Sequence, residues 1–275
     1  MPPVSSRGMR FEKWQAAGNA YLVMERTDVV HPLTPARVQR ICHADLGAGS
    51  DGILVLDPIG PGHTRVQILN PDGGEAEFSG NGSRIAAGYV AGRDGTAEVV
   101  LETLKGSIAG TVDGGSVTID AGAAALDGSD HAPNGGPAPA PAYTFVSLGN
   151  PHCVIETEEV DGLDLAAVGA PIEHHPWFPN RTNVEFFRPL GDNDIRMRVW
   201  ERGAGETLSS GSGSSAAAVA AVVAGRARSP VTVHTDGGEL VVAVDEHLSV
   251  RLTGPVQCVH RSEFSADFVA ALGEL

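Results

Sequence analysis

Polar and apolar residues alternate from Arg196 to Arg202 (RMRVWER), the period of a half-buried strand, and a glycine turn follows at Gly203 to Gly205. Ser210-Gly211-Ser212-Gly213 then opens into a run of Ala and Val, Ala216 to Ala224, long enough for several helical turns. A helix that is apolar on every face has to be buried all round. The pattern therefore predicts a strand, a turn and an enclosed helix, with the rest of the chain wrapped around the helix. The first four amides of a helix lack intrahelical acceptors, so a glycine-lined helix start of this kind suits a carboxylate or phosphate.

The pattern occurs twice. A shift of 131 positions lays Arg65 to Ala87 on Arg196 to Ala218 without a gap, pairing Arg65 with Arg196, Glu75 with Glu206, Ser79 with Ser210, Gly80 with Gly211 and Gly82 with Gly213. The same shift lays Gly18-Asn19, Val23 and Glu25 on Gly149-Asn150, Val154 and Glu156. Chance self-alignment of a chain with 35 Gly does not place two separated blocks, including Asn, Arg and Glu pairs, at one offset. An offset near half the length implies two similar domains of ordinary size.

Smaller elements fill in around the repeats. Tyr21 to Met24 reads as a strand, Thr34 to Ala44 as a helix with Pro35 in its first turn, and Ile53 to Leu56 and Val66 to Leu69 as strands. The first buried helix is expected from Gly80 to Ala91, capped by Gly92, before strands at Ala97 to Thr103, Gly106 to Val112 and Ser116 to Ala121. The second half repeats this order: a helix-like turn near Leu163 to Val168, a strand from Val184 to Arg188, the motif, and a meander from Val231 to Cys258. Ser265 to Leu275 is expected to close with a short helix. Residues 127–141, rich in Pro and Gly, form a linker between domains at 1–126 and 142–275. The fold class is α+β: two pseudo-symmetric halves, each a sheet or barrel around a central buried helix.

Charge narrows the function. With 34 acidic against 19 basic residues the net charge is −15, which speaks against a nucleic-acid or anionic-membrane partner. Cys42, Cys153 and Cys258 are an odd set without CxxC spacing, so no disulfide framework or zinc knuckle is expected, and adjacent His174-His175 is not spaced for a metal. Without a membrane-length apolar run or an apolar core in MPPVSSRGMRF, the expected location is the cytoplasm. Neither metal nor cofactor is expected. If the halves pack face to face, both helix starts point into one cleft, with Ser79 on one side and Ser210 on the other. Two groups on opposite faces of one carbon are what a cofactor-free racemase needs.

NPDGGEAEFSGNGSR, GNPHCV and ERGAGETLSSGSGSSAA resemble the signatures of the diaminopimelate epimerase family, related to proline racemase and the phenazine-biosynthesis isomerase fold. The likeness covers almost the whole chain, in order. It implies an isomerase of amino-acid biosynthesis, on the lysine route, with its active site between two domains, a small amino-acid substrate and no cofactor; a homodimer stays open. In the family each helix begins with a catalytic cysteine, one acting as base and one as acid. Here both positions are serine, Ser79 and Ser210, and Ala20-Tyr21 stands where the family usually has an acidic residue followed by Phe. By the same resemblance Asn19, Asn70, Asn150, Asn183, Glu201 and Arg202 contact the substrate. Gly80, Asn81, Gly211 and Ser212 offer backbone amides to its reactive carboxylate, and His152 and Glu201 are the remaining groups able to assist proton transfer.

Each of these residues has an ordinary structural role too. Serine before a helix is a common N-cap, Asn beside Gly or Pro a turn residue, Arg202 a surface ion pair and His152 a satisfied core histidine. Two further functions are compatible with the motifs: an amino-acid-binding protein whose catalysis is silent because both cysteines are serine, naturally or by engineering, and a lyase or double-bond isomerase using Glu201 or His152 as base.

Overall fold

The computed structural model describes residues 8–126 and 143–275, so the expected linker 127–141 lies outside the described residues. The first repeat opens with strands β1 (Met9–Ala16) and β2 (Asn19–Glu25), joined at Ala17 and Gly18, whose φ angles are 49° and 82°. Helix α1 (Pro35–Cys42) starts at Thr34, whose hydroxyl accepts the Arg37 N–H, and it buries Val38, Ile41 and Cys42 at helical spacing. Next come β3 (Ile53–Gly60), β4 (His63–Leu69), the short β5 (Glu75–Ala76), α2 (Gly80–Asp94), β6 (Glu98–Thr103), β7 (Gly106–Asp113) and β8 (Ser116–Ala123).

The second repeat follows the same order. It runs β9 (Tyr143–Ser147), β10 (Pro151–Glu156), α3 (Leu165–Glu173), β11 (Asn183–Pro189), β12 (Asp194–Glu201), β13 (Gly205–Thr207), α4 (Gly211–Val223), β14 (Val231–Thr235) and β15 (Gly238–Val244). After these come β16 (Ser249–Pro255), β17 (Gln257–Phe264) and α5 (Ala266–Gly273), the last begun by Ser265 as its N-cap.

By contacts the chain divides into two compact units, Met1–Val117 with Pro255–Leu275, and Thr118–Gly254. These do not follow the two repeats, because β17 runs antiparallel along β1 from Met9↔Phe264 to Gln15↔Gln257 and so belongs to the first unit. Strand pairing in the first unit runs β1, β2, β3, β4, β6, β7, with β2–β3 and β4–β6 parallel and the others antiparallel. In the second it runs β9, β10, β11, β12, β14, β15, with the parallel pairs at the equivalent places, β10–β11 and β12–β14. Register repeats as well. Leu22 faces Ile53 in one unit, and Cys153 faces Val184 in the other, each shifted by 131. In the second unit β15 is extended by β16 and β8, and Ala125 beyond β8 bridges Ser147 on β9, so the sheet returns on itself.

Helix α2 packs against β1, β2, β3, β4, β6 and β7, and α4 against β9, β10, β11, β12, β14 and β15. Every residue from Gly80 to Gly88 and from Gly211 to Ala221 is buried. Small side chains make this possible. A Cβ on Gly88 would lie 2.8 Å from Val256 Cγ2, one on Gly82 3.2 Å from Leu54 Cδ2, and one on Gly213 2.8 Å from Glu185 Oε1.

Four details differ from the pattern-based expectations. α2 runs through Gly92 and ends at Gly95, whose φ of 67° is the left-handed cap conformation, because Val90 and Ala91 still face the core and carry the helix one turn further. α4 emerges at its end, where Val223 is 50% exposed. The turn near 163–168 is a full helix, α3, capped by Asp164. Strands β1 and β9 went unforeseen because Glu12-Lys13 and Phe145-Val146 interrupt simple alternation. Among the described residues no helix is long and apolar enough to cross a membrane.

The packing around α2 separates two of its glycines. Gly88→Val should cost about 2 kcal/mol through overpacking against Val256 and Trp14. Gly92→Ala, where nothing lies within 4 Å, should raise stability by up to ~1 kcal/mol, both read from denaturant midpoints.

Candidate active site

Both motif serines are helix N-caps. Ser79 Oγ accepts the Gly82 N–H at 3.0 Å and Ser210 Oγ accepts that of Gly213 at 3.2 Å. Each serine has extended φ/ψ, −139°/120° and −130°/125°, which turns the chain from strand into helix. The cap uses an amide of the third helical residue. The amides of Gly80, Gly211 and Ser212 stand nearer the helix start, where helix geometry supplies no acceptor. The helix dipole adds partial positive charge at both ends.

The asparagines after the two Gly turns meet the second residue of their helices. Asn81 Nδ2 donates to Asn19 Oδ1 at 3.4 Å in the first unit, and Asn150 Nδ2 donates to Ser212 Oγ at 3.3 Å in the second. The sequence repeat is thus repeated as a contact, tying strand start to helix start. Behind Asn81 lies Arg84, 0% exposed, which donates to Asn81 Oδ1 at 2.7 Å and to the Gly80 carbonyl at 3.2 Å. Burial pulls its guanidinium down to about 9, so it stays charged at neutral pH.

Beyond these contacts the units differ. In the first, Tyr21 Oη lies 3.1 Å from Ser79 Oγ. In the second, Glu201 Oε1 accepts from Thr207 Oγ1 at 2.6 Å, with the Ser210 hydroxyl near enough to act on the carboxyl. Burial raises the Glu201 carboxyl above its ordinary value, and the neighbouring Glu185 adds to this; the bonds from Thr207 and Ser210 and the nearby His152 pull the other way. His152 is fully buried. Its Nδ1 is 2.7 Å from Glu185 Oε1 and its Nε2 3.0 Å from Asn150 Oδ1, so a chain of contacts runs Glu185, His152, Asn150, Ser212 to the start of α4.

Asn183 and Arg202 are brought together as well. Asn183 Oδ1 accepts the Arg202 N–H at 2.9 Å while Nδ2 donates to the Pro151 carbonyl at 3.0 Å, which braces the turn after β12. The Arg202 guanidinium donates to the Asn180 carbonyl at 3.3 Å and makes no ion pair among the described residues. Asn70 closes the turn before β5, its N–H donating to the Gly74 carbonyl and its carbonyl accepting from Gly73. Cys153 is buried, and burial pushes its thiol up, as befits a core residue beside β11 rather than a nucleophile. Among the described residues no group of three or more His, Cys, Asp or Glu is arranged to hold a metal ion.

Sequence reasoning passed over Glu185, Tyr21 and Thr207 as site residues. Glu185 had a signal: a lone carboxylate in the apolar strand VEFF, where the first repeat carries Leu54. Tyr21 and Thr207 had none beyond position, since hydroxyl contacts across strands depend on register.

The sequence model of the family described as Diaminopimelate epimerase matches residues 11–126 and 144–259. Relatives include the diaminopimelate epimerase of Moorella thermoacetica, 41% identical, covering 94% of this chain and 100% of its own. That of Synechocystis sp. is 38% identical, covering 91% and 97%. Among solved structures, a hydroxyproline epimerase from Agrobacterium vitis with bound trans-4-hydroxy-L-proline superposes with a TM-score of 0.69 at 16% identity, covering 96% of this chain and 94% of that one. A phenazine biosynthesis protein from Enterococcus faecalis gives 0.68 at 15% identity, covering 94% and 99%. Those two likenesses establish the fold.

The Glu201 environment carries a pH prediction. A carboxyl raised by burial makes the folded state bind more protons than the unfolded one between the ordinary glutamate range and its own raised value, so its charged form costs stability above that window. Glu201→Gln, which keeps acceptor capacity without charge, should be more stable than the parent at pH 8. The gain should vanish below about pH 4, where both forms are neutral, in denaturant titrations at the two pH values.

Proposed function

The chain belongs to the diaminopimelate epimerase family, and from that membership we propose that it inverts an α-carbon of diaminopimelate by two-base proton transfer. It is an isomerase of the cofactor-independent epimerase type. One observation carries the site assignment: each unit builds the same assembly of turn asparagine, N-cap serine and open helix amides. In this reading Gly80 and Asn81 in the first unit and Gly211 and Ser212 in the second offer amides to a substrate carboxylate, Asn19 and Asn150 fix those helix starts, and Ser79 and Ser210 are the groups that carry the proton. Arg202, with its guanidinium free of ion pairs among the described residues, suits the distal carboxylate in bidentate fashion, with Asn183 holding its backbone, and Asn70 is a further substrate contact in the same reading.

Proton removal from an α-carbon leaves a carbanion that the adjacent carboxylate shares, so the helix amides stabilise the charge as it forms. A serine hydroxyl is a weak acid and a weak base, whereas a thiol ionises near 8.5 and lower at a helix start. Ser210 therefore needs a proton acceptor behind it. Glu201, near that hydroxyl and raised by burial above its ordinary value, is suited to that part, and His152 with Glu185 keeps Asn150 in place. The free thiols of Cys42, Cys153 and Cys258 agree with action in the cytoplasm.

The test is incubation with each diaminopimelate stereoisomer in heavy water. The expected result is interconversion of the LL and meso forms with deuterium entering the α-position. Ser79→Cys with Ser210→Cys should accelerate it by about two orders of magnitude, because thiols carry the proton more readily. Tight binding without exchange in either protein would mark an amino-acid-binding protein instead.

A further inference from the structure

Resting on the epimerase reading, we propose that Tyr21 is the proton relay of Ser79: the first unit's counterpart, from a different strand, of what Glu201 supplies to Ser210. Tyr21 lies on β2, 5% exposed, with its hydroxyl 3.1 Å from Ser79 Oγ. Its ring has little freedom. Gly52, at φ 157°, lets the ring lie so close that a Cβ there would stand 2.6 Å from Cε1 and 3.0 Å from Cδ1. Ser79 is fixed in turn by the Gly82 amide at 3.0 Å. Both partners are held before any substrate arrives, which is the condition for relay through a hydroxyl.

The repeat sharpens the assignment. The residue 131 positions after Tyr21 is His152, which is turned to Glu185 and Asn150, while Ser210 takes its partner from position 201. The residue 131 positions before Glu201 is Asn70, whose backbone closes a turn. Each cap serine thus has a proton-bearing neighbour, recruited from β2 in the first unit and from β12 in the second.

The step balances without a co-reactant other than water. When Ser79 protonates the carbanion, its O–H bond breaks and that proton, with the carbanion's electron pair, becomes the new C–H bond. The Tyr21 O–H bond breaks in the same event, its proton closing the Ser79 hydroxyl, and the pair left on Tyr21 is a phenolate that takes a proton from water. In the reverse direction the phenolate receives the proton as Ser79 takes one from the carbon.

Tyr21→Phe removes only this hydroxyl. In the full chain it should lower kcat for α-deuterium incorporation into diaminopimelate at least tenfold with KM within twofold. In the presence of Ser79→Cys the same change should cost at least ten times less, because a thiolate holds its own charge. A structural role for Tyr21 would give equal losses in both backgrounds or a change in KM alone, and either result, or no loss, overturns the relay. If the Ser/Ser protein binds without exchange while Ser79→Cys with Ser210→Cys exchanges, the relay falls and the epimerase reading stands. If no variant exchanges, both fall.

Discussion

A helix enclosed on every side has only its ends to offer to solvent or ligand, and this constraint organises both units. α4 is built from Gly, Ala, Ser and Val alone, and α2 is rich in Gly and Ala, because the surrounding strands approach within van der Waals distance of the helix backbone. The orphan amides of the first turn are then the polar feature that both helices present in the same way. The cap serine, the strand-start asparagine and the proton-bearing residue beside the serine gather there.

The two units share this scaffold and differ in what they charge. At matched positions the first carries Tyr21, Leu54, Asn70 and Arg84, the second His152, Glu185, Glu201 and Ser215. Ser215 Oγ donates to the Gly211 carbonyl at 2.9 Å, as Arg84 does to Gly80 at 3.2 Å, so one contact persists while a buried cation is exchanged for a neutral hydroxyl. The second unit instead gathers carboxylates and an imidazole. Proton chemistry with two distinct sides calls for such a difference, since one group has to be ready to accept while the other is ready to donate.

The strand, turn and enclosed helix of each repeat were legible because burial on all sides leaves an unmistakable run of small apolar residues, and because the run occurs twice at one offset. The cap serines and turn asparagines were legible through the same repetition. Less visible was the end of α2, where Gly92 and Gly95 are both plausible caps and only the left-handed φ of Gly95 decides. The placement of β17 beside β1 was hidden because pairing across more than two hundred residues leaves no local pattern. Glu185 and Tyr21 were hidden for a related reason: their partners His152 and Ser79 come from other strands and from a helix start, and only register brings them together.

The central claim is that the start of each enclosed helix binds carboxylate through its orphan amides. Amide resonances of the ¹⁵N-labelled protein titrated with meso-diaminopimelate test this directly. The predicted result is a saturable shift of Gly80, Gly211 and Ser212, while Gly92 and Gly225, towards the far ends of the helices, hold still. Shifts that leave Gly80, Gly211 and Ser212 unmoved, or that are as large at Gly92 and Gly225, would contradict it.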